Sequence, residues 1–400
     1  MVHHTSTMRI RPAPRASSKI SHMRKPLLLL LSGVILGMLT SCAVRQAPRP
    51  VPPIAAPAQP APEVGRPPQD QALTASEWVP VPWSDLPGWR EAALEPVWGV
   101  LLRNCERPTA AVAAACPDIR RLSIAEAAER RAWMENYWQP HRLQSHAGQA
   151  QGLLTAYYEP EFDAMRSRRP GFDVPLYAPP QAVLSGPTRN QPWHSREAID
   201  TRPDVQAQLQ PLAWLADPVD ALVLHIQGSG RLRITEDDGR MREVAIRFAA
   251  TNNWPYRSVG RALLDARELT DASWPGIRQW LNRNPQRRQS VFWTNPRYVF
   301  FKEAPIVDPE VGPPGAQGVP LSAMRSIAVD PKSVPYGSLV WLVTQGPQLN
   351  LQQLVLAQDT GSAIVGAVRA DLFAGTGPQA GELAGRVKQP LWLWAFKPRP

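Results

Sequence analysis

The stretch Leu354-Val355-Leu356-Ala357-Gln358-Asp359-Thr360-Gly361-Ser362 decides the reading of this chain. Four apolar residues without a polar break, followed by Asp, Thr and Gly, read as a strand running into a tight turn. The same pattern recurs on both sides of it. Residues 222–226, 244–248, 291–294, 298–301, 326–329, 339–343 and 391–396 are short β-rich runs separated by Gly, Pro, Asn or Asp, which predicts β-barrel or sandwich material. Helix is expected mainly over 84–140, where Leu94, Val97, Trp98, Leu101 and Leu102 fall at helical spacing. Within that region Ser123-Ile124-Ala125-Glu126 has the form of a capping box opening a helix that Pro140 ends. A second helix is expected over 273–284, with Ile277, Trp280 and Leu281 on one face. The fold class is therefore mainly β with some N-terminal helix. No internal repeat of 20–50 residues is visible.

The 400 residues carry 44 Lys+Arg against 34 Asp+Glu, a formal net charge of +10. Much of that excess is local. Residues 1–41 hold Arg9, Arg11, Arg15, Lys19, Arg24 and Lys25 and no acid, so the remainder is nearly balanced. A reader of nucleic acid carries a clustered basic patch on its body, and none is visible, which argues against nucleic acid as a partner. Met23-Arg24-Lys25, Pro26 and the apolar run 27–39 have the form of an export signal too short for a membrane span, with Met23 the better initiator. The signal closes on Leu39-Thr40-Ser41-Cys42, which resembles a bacterial lipobox and implies lipidation at Cys42. Ala43, where a retention signal would have Asp, implies the periplasmic face of the outer membrane. Nine prolines between 48 and 68 make residues 42–75 a tether. In an exported body Cys105 and Cys116 are candidates for a disulfide, the alternative being two separately buried thiols.

Several motifs fall away on inspection. Asp359-Thr360-Gly361 is the local form of an aspartic protease loop, but that mechanism needs two carboxylates sharing a proton, and Asp-Thr-Gly occurs once. Gly375-Thr376-Gly377-Pro378-Gln379-Ala380-Gly381 has the wrong spacing for a dinucleotide site and reads as a tightly packed turn. Gly228-Ser229-Gly230 is no nucleophile elbow, and no His follows His225. His141, His146, His194 and His225 match no metal spacing, so no metal or other cofactor is expected. Carboxylate chemistry survives: Asp359 and Asp371 lie twelve residues apart across strand, turn and strand, and hydrolysis of a glycoside ordinarily uses two carboxylates. On spacing alone two turn-capping Asp residues remain the alternative.

Further strings carry a family resemblance. Trp83-Ser84-Asp85-Leu86-Pro87-Gly88-Trp89, Thr155-Ala156-Tyr157-Tyr158-Glu159-Pro160, Ile226-Gln227-Gly228-Ser229-Gly230-Arg231, Asn295-Pro296-Arg297-Tyr298-Val299-Phe300-Phe301 and Arg325-Ser326-Ile327-Ala328-Val329-Asp330-Pro331 occur in order. Gln358-Asp359-Thr360-Gly361 and Gly381-Glu382-Leu383-Ala384-Gly385-Arg386 follow. Together, over roughly residues 80–398, they resemble the membrane-bound lytic murein transglycosylase A family. The resemblance implies a double-psi β-barrel from 76–164 and 304–400, a second β-barrel domain inserted at 165–303, and a glycan groove between them. It implies Asp371, in Ala370-Asp371-Leu372-Phe373, as catalytic acid and base, with Asp359 as a supporting carboxylate. Tyr158, Gln227, Ser229 and Arg231 belong to the matched loops as candidate substrate contacts, and Gln227 and Ser229 equally read as a self-satisfied turn. Asn253 stands where the family pattern expects Gly. The implied partner is the peptidoglycan glycan strand, cut between N-acetylmuramic acid and N-acetylglucosamine with closure of a 1,6-anhydro ring. Asp371 should then have a raised pKa, and at most two or three of the 15 Trp should face the groove, the rest being buried. The rival readings are a non-catalytic expansin-like glycan binder and an inverting hydrolase using both Asp residues.

Overall fold

In a computed structural model the residues described are 76–110, 112–185 and 191–400. The export signal, Cys42 and the proline-rich tether lie outside them. The strands are β1 (Glu77–Pro80), β2 (Trp138–Gln144), β3 (Gly152–Glu159), β4 (Glu161–Met165), β5 (Val174–Tyr177), β6 (Pro211–Leu215) and β7 (Ser229–Thr235), then β8 (Met241–Thr251), β9 (Val299–Ala304), β10 (Ser326–Val329), β11 (Leu339–Gln345), β12 (Asn350–Asp359), β13 (Arg369–Thr376) and β14 (Lys388–Pro398).

They form two sheets. The first has the order β1-β2-β14-β11-β12-β10-β13-β3, and β14 also pairs with β3. The long β14 achieves this closure by using residues 392–395 against β11 and 388–391 against β3. A ring of β14, β11, β12, β10, β13 and β3 therefore closes on itself, leaving β1 and β2 as an outer flap. The second sheet, β5-β6-β4-β7-β8-β9, is drawn entirely from the chain between β3 and β10. The chain leaves the first sheet at Glu159 and enters the second at Glu161.

The unbroken apolar runs have a physical cause. On β11, Val340 and Leu342 point into the barrel core with Val355, Ala357, Leu393 and Ala395. Leu339, Trp341 and Val343 point out beneath the N-terminal helices and meet Trp89, Val97, Trp98 and Leu101. Both faces are covered, so no polar alternation is needed. Cys105 and Cys116 are joined by a disulfide across that helical layer, with Cα atoms 5.6 Å apart.

Four local expectations are corrected. Residues 222–226 lie in a helix, Pro218–Gln227, not a strand. Asp217 Oδ1 accepts from Val219 N at 2.9 Å, Pro218 occupies the first turn, and Gly228 ends the helix at φ +78°. The helix reads as uniformly apolar because it serves two cores, Ala221 and Leu224 toward the second sheet and Val219 and Leu222 toward neighbouring helices. Residues 291–294 likewise fall in the helix Arg288–Trp293 and its cap, where Val291 and Phe292 join the same helical core. Ser123 does not cap: its hydroxyl donates to Arg120 O at 2.7 Å, the helix runs Ala127–Tyr137, and Pro140 sits inside β2. Finally, the expected turn at 375–381 is a direct strand-to-helix junction: Gly375 lies in β13 and Gly377 opens the helix Gly377–Ala384, both at positive φ. The helix expected at 273–284 is present as Trp274–Arg283 with Ser273 as its cap.

Candidate active site

The site is built on one face of the barrel wall. On β13, Ala370 and Leu372 are fully buried in the barrel core, which sends Asp371 to the opposite face. Asp371 pairs with Ala328 of β10 on one side and with Thr155 of β3 on the other. Ala328 in turn pairs with Asp359 of β12, and Thr155 pairs with Lys388 of β14. The result is a row across five strands, Asp359, Ala328, Asp371, Thr155, Lys388. With adjacent strands about 4.8 Å apart, the two Asp Cα atoms stand roughly 10 Å apart with only a methyl between them.

Asp359 enters that row through an irregularity. Leu356 and Ala357 pair with Ser326 and Ile327, and then Asp359, not Gln358, pairs with Ala328. Gln358 is the extra residue of a bulge. Its side chain is fully buried and anchored, accepting from Ser326 Oγ at 2.6 Å, while its carbonyl accepts from Gln317 N at 3.1 Å.

The two carboxyls have different surroundings. Asp359 accepts from Tyr157 OH on Oδ2 at 2.8 Å and from Ala316 N on Oδ1 at 2.9 Å. Burial raises its pKa, against those hydrogen bonds. Tyr157, pushed well above the usual phenol value by burial and by Asp359, stays a donor. Asp371 accepts on Oδ1 from Thr155 Oγ1. Arg369 donates to the same hydroxyl at 2.8 Å. A guanidinium can only donate, so Thr155 must spend a lone pair on Arg369 and aim its proton at Asp371. Burial is the largest cause lifting the Asp371 pKa, with the Thr155 bond and Arg369 opposing and Asp359 adding a little. The Asp371 rise is in the direction that the sequence reading expected.

Beside this wall lies a cavity of about 480 Å³ that Thr155 also lines. Tyr158 and Gln227 line it too, held together by the Tyr158 N to Gln227 Oε1 bond at 3.2 Å. Of the tryptophans, Trp274 lines the cavity, whereas Trp89, Trp98, Trp138 and Trp341 are buried with the N-terminal helices.

Two candidates sit elsewhere. Arg231 is committed to a clamp: its Nε meets the fully buried Glu159 at 2.9 Å, and its terminal nitrogens donate to Pro309 O and Val311 O at 3.0 and 2.9 Å. Arg247 also pairs with Glu159, and Thr376 Oγ1 donates to it at 3.1 Å. Arg231 thus ties both chain crossings between the sheets and is not free for substrate. Ser229 opens β7 opposite Arg247 and does not line the cavity. Gly228 and Gly230 around it serve the backbone: Gly228 ends a helix, and a Cβ on Gly230 would fall 2.3 Å from Leu224 Cδ2. Asn253 has φ +61°, the left-handed conformation a Gly would supply and Asn tolerates.

Sequence reasoning missed Thr155, Tyr157 and Arg369 as site residues. The signal was present: Thr155 and Tyr157 share one face of a strand by alternation, and Arg369 shares a face with Asp371.

Known proteins show the same organisation. The MltA specific insert domain matches residues 153–302, the span that builds the second sheet, and the 3D domain matches 325–397. A lytic transglycosylase of Burkholderia pseudomallei, LtgG, is 39% identical, covering 82% of this chain and 97% of that one, with a TM-score of 0.56. The membrane-bound lytic murein transglycosylase of Agrobacterium tumefaciens is 29% identical over 81% of this chain and 98% of that one, with a TM-score of 0.69. Membrane-bound lytic murein transglycosylase A of Escherichia coli is 29% identical over 62% of this chain, a match spanning 66% of that relative's length. In sequence, in sheet organisation and in the inserted domain, the chain belongs to the membrane-bound lytic murein transglycosylase A family.

Proposed function

We propose that this protein cleaves the glycan strand of peptidoglycan without water, leaving 1,6-anhydromuramic acid ends, and that Asp371 is its single acid and base. The observation carrying this is the Asp371 carboxyl: raised in pKa by burial, fixed at Oδ1 by a hydroxyl that Arg369 orients, and left with Oδ2 for a proton. Protonated, it gives its proton to the glycosidic oxygen as that bond to C1 breaks. As carboxylate it then takes the proton of the muramic acid's own C6 hydroxyl, whose oxygen bonds to C1 and closes the anhydro ring. One carboxyl suffices because the nucleophile belongs to the substrate, and an intramolecular attack gains up to ~7–11 kcal/mol from orientation.

Asp359 serves as a supporting carboxylate. A retaining hydrolase needs its second carboxyl about 5–5.5 Å away as nucleophile, which fits poorly with the intervening strand. For an inverting hydrolase, Asp359 would have to activate water, while each of its oxygens already accepts a hydrogen bond. Arg231 and Ser229 drop out of the proposed substrate contacts; Tyr158 and Gln227 remain. On this reading the first sheet with its N-terminal helices forms the catalytic domain and β4 to β9 the insert, whose edges fall at 161 and 304 rather than 165 and 303 because β4 and β9 pair within the second sheet. Cys42 anchors the body to the outer membrane.

The test is digestion of purified sacculi in ¹⁸O-water followed by mass spectrometry. Unlabelled anhydro ends are expected. Labelled reducing ends would instead assign a hydrolase, and intact glycan would leave a binding protein.

A further inference from the structure

The cavity beside Thr155 has a lining whose charge the glycan backbone does not explain. Arg386, between the Gly377–Ala384 helix and β14, and Lys388, the first residue of β14, both reach it; both are exposed, and among the described residues neither is in an ion pair or side-chain hydrogen bond. Among the described residues its one acid is Asp271. That carboxylate already accepts from Ser273 N at 2.8 Å and Ser273 Oγ at 2.6 Å, which, with Lys388 nearby, hold its pKa down. The lining is therefore net positive, with two cations open to a ligand and the acid occupied.

The cavity is also built to keep its shape. A Cβ on Gly381 would fall 2.7 Å from the Tyr158 ring, and one on Gly385 would fall 3.2 Å from Trp274 and Pro275. These glycines let the Gly377–Ala384 helix lie close against Tyr158 and the Trp274–Arg283 helix. Lys388 stands in the same cross-strand row as Asp371, two strands along, with Thr155 between them.

An N-acetylglucosamine ring is neutral: its hydroxyl and acetamido oxygens can accept hydrogen bonds from two cations but offer them no countercharge. The muramic acid ring differs at C3, two carbons from the reacting C1, where an ether-linked lactyl arm ends in a carboxylate or continues into a peptide stem carrying carboxylates. We infer that the cavity receives this acidic arm, with Arg386 and Lys388 pairing its carboxylate and Thr155 marking the boundary with the reacting sugar. The inference rests on the proposed glycan-cleaving function and deepens it: the enzyme would tell muramic acid from glucosamine by charge, placing the ring that owns the attacking C6 hydroxyl beside Asp371.

The test is isothermal titration of the Asp371→Asn protein, in which turnover is slowed by about a hundredfold or more, with three hexasaccharides. One is chitohexaose, one alternates glucosamine with muramic acid bearing free lactyl carboxylates, and one carries peptide stems. Part-exposed charge pairs are each worth modest energy, so at low salt a muramic ligand should bind on the order of tenfold more tightly than chitohexaose. That preference should shrink as salt rises. Whichever muramic ligand gains more identifies the carboxylate. Adding Arg386→Gln and Lys388→Gln should bring muramic and chitin ligands to equal affinity, and chitohexaose reports that the groove is intact. A preference that survives both substitutions, or no preference at all, overturns the inference while leaving a glycan-binding groove. Failure of all three ligands to bind would remove the glycan reading itself, and this inference with it.

Discussion

Replacing Thr155 by Val removes one hydroxyl and keeps the β-branched shape that suits β3. Two hydrogen bonds go with it, the one Asp371 accepts and the one Arg369 donates. Each involves a charged partner, and such bonds are worth about 1.5–3 kcal/mol. The proposed reaction has Asp371 leave and regain its proton, so its orientation matters most at the transition state. Losing one such bond there corresponds to a roughly 10- to 100-fold fall in kcat/KM. The pH profile supplies a second readout with a fixed sign. The Thr155 bond favours the ionised carboxyl and opposes the rise caused by burial. Without it the folded pKa moves further up. If Asp371 must be protonated to start the reaction, the alkaline limb of kcat/KM against pH moves to higher pH. Release of anhydro-muropeptides from sacculi, measured across pH for wild type, Thr155→Val and Thr155→Ser, checks both. The Ser variant keeps the hydroxyl and should recover most of the rate and the original limb. An unchanged rate with an unmoved limb, or a limb displaced to lower pH, would falsify the hydroxyl's assigned role.

Asp371→Asn should lower activity by about a hundred- to ten-thousandfold, the usual worth of a general acid and base. It should also raise the melting temperature near neutral pH, because a carboxyl whose folded pKa lies above the ordinary 3.8 destabilises the fold once ionised. That advantage should fade as pH falls through the raised folded value and vanish below 3.8, where both states are protonated; a stability gap constant with pH would contradict it. Glu159→Gln leaves Arg231 and Arg247 facing a neutral group and should cost about 3 kcal/mol, the low end for a broken buried pair because both Arg side chains keep some solvent. Urea titration reads this directly, and a loss below about 1 kcal/mol would show the clamp to be dispensable. Removing the disulfide by Cys105→Ser with Cys116→Ser opens a loop of separation 11 and should cost about 3 kcal/mol on loop-closure entropy. The same titration measures it, and an unshifted midpoint would mean that the N-terminal helices are held without it.

What was legible in the sequence was what a single strand can announce. Ala370-Asp371-Leu372 says by alternation that the Asp faces away from a core, and the runs at 339–343 and 354–357 announce strands covered on both sides. What was illegible depended on partners far along the chain. Gln358 and Asp359 read as one turn, yet their separate duties come from a bulge whose register is fixed by Ser326, thirty-two residues away. The run 222–226 misled because a short helix facing two cores has no polar side, and only its caps, Asp217 and Gly228, carried the correct sign. Arg231 stood in a matched string beside plausible sugar contacts. Nothing local could say that the carboxylate claiming it is Glu159, on a strand of the other sheet.

The last residues of β3 explain why the insertion sits where it does. Tyr157, Tyr158 and Glu159 are consecutive, and each side chain serves a different structure: Tyr157 donates to Asp359, Tyr158 walls the cavity, and Glu159 enters the clamp between the sheets. Because strand side chains alternate, a slip of one residue would exchange all three roles at once. Register here is therefore a functional variable, and close backbone approaches hold it. A Cβ on Gly152 would fall 1.7 Å from Val368 O, where β3 meets β13, and Gly381 admits the Tyr158 ring at the other end. Asp371 takes its hydroxyl from Thr155 midway between these two glycines, so the position of the candidate acid and base is set by the same strand that leads into the inserted sheet. The exit of β3 is thus one of two covalent crossings between the sheets, the other running from β9 to β10, and it is the one whose strand also carries the hydroxyl bonded to Asp371.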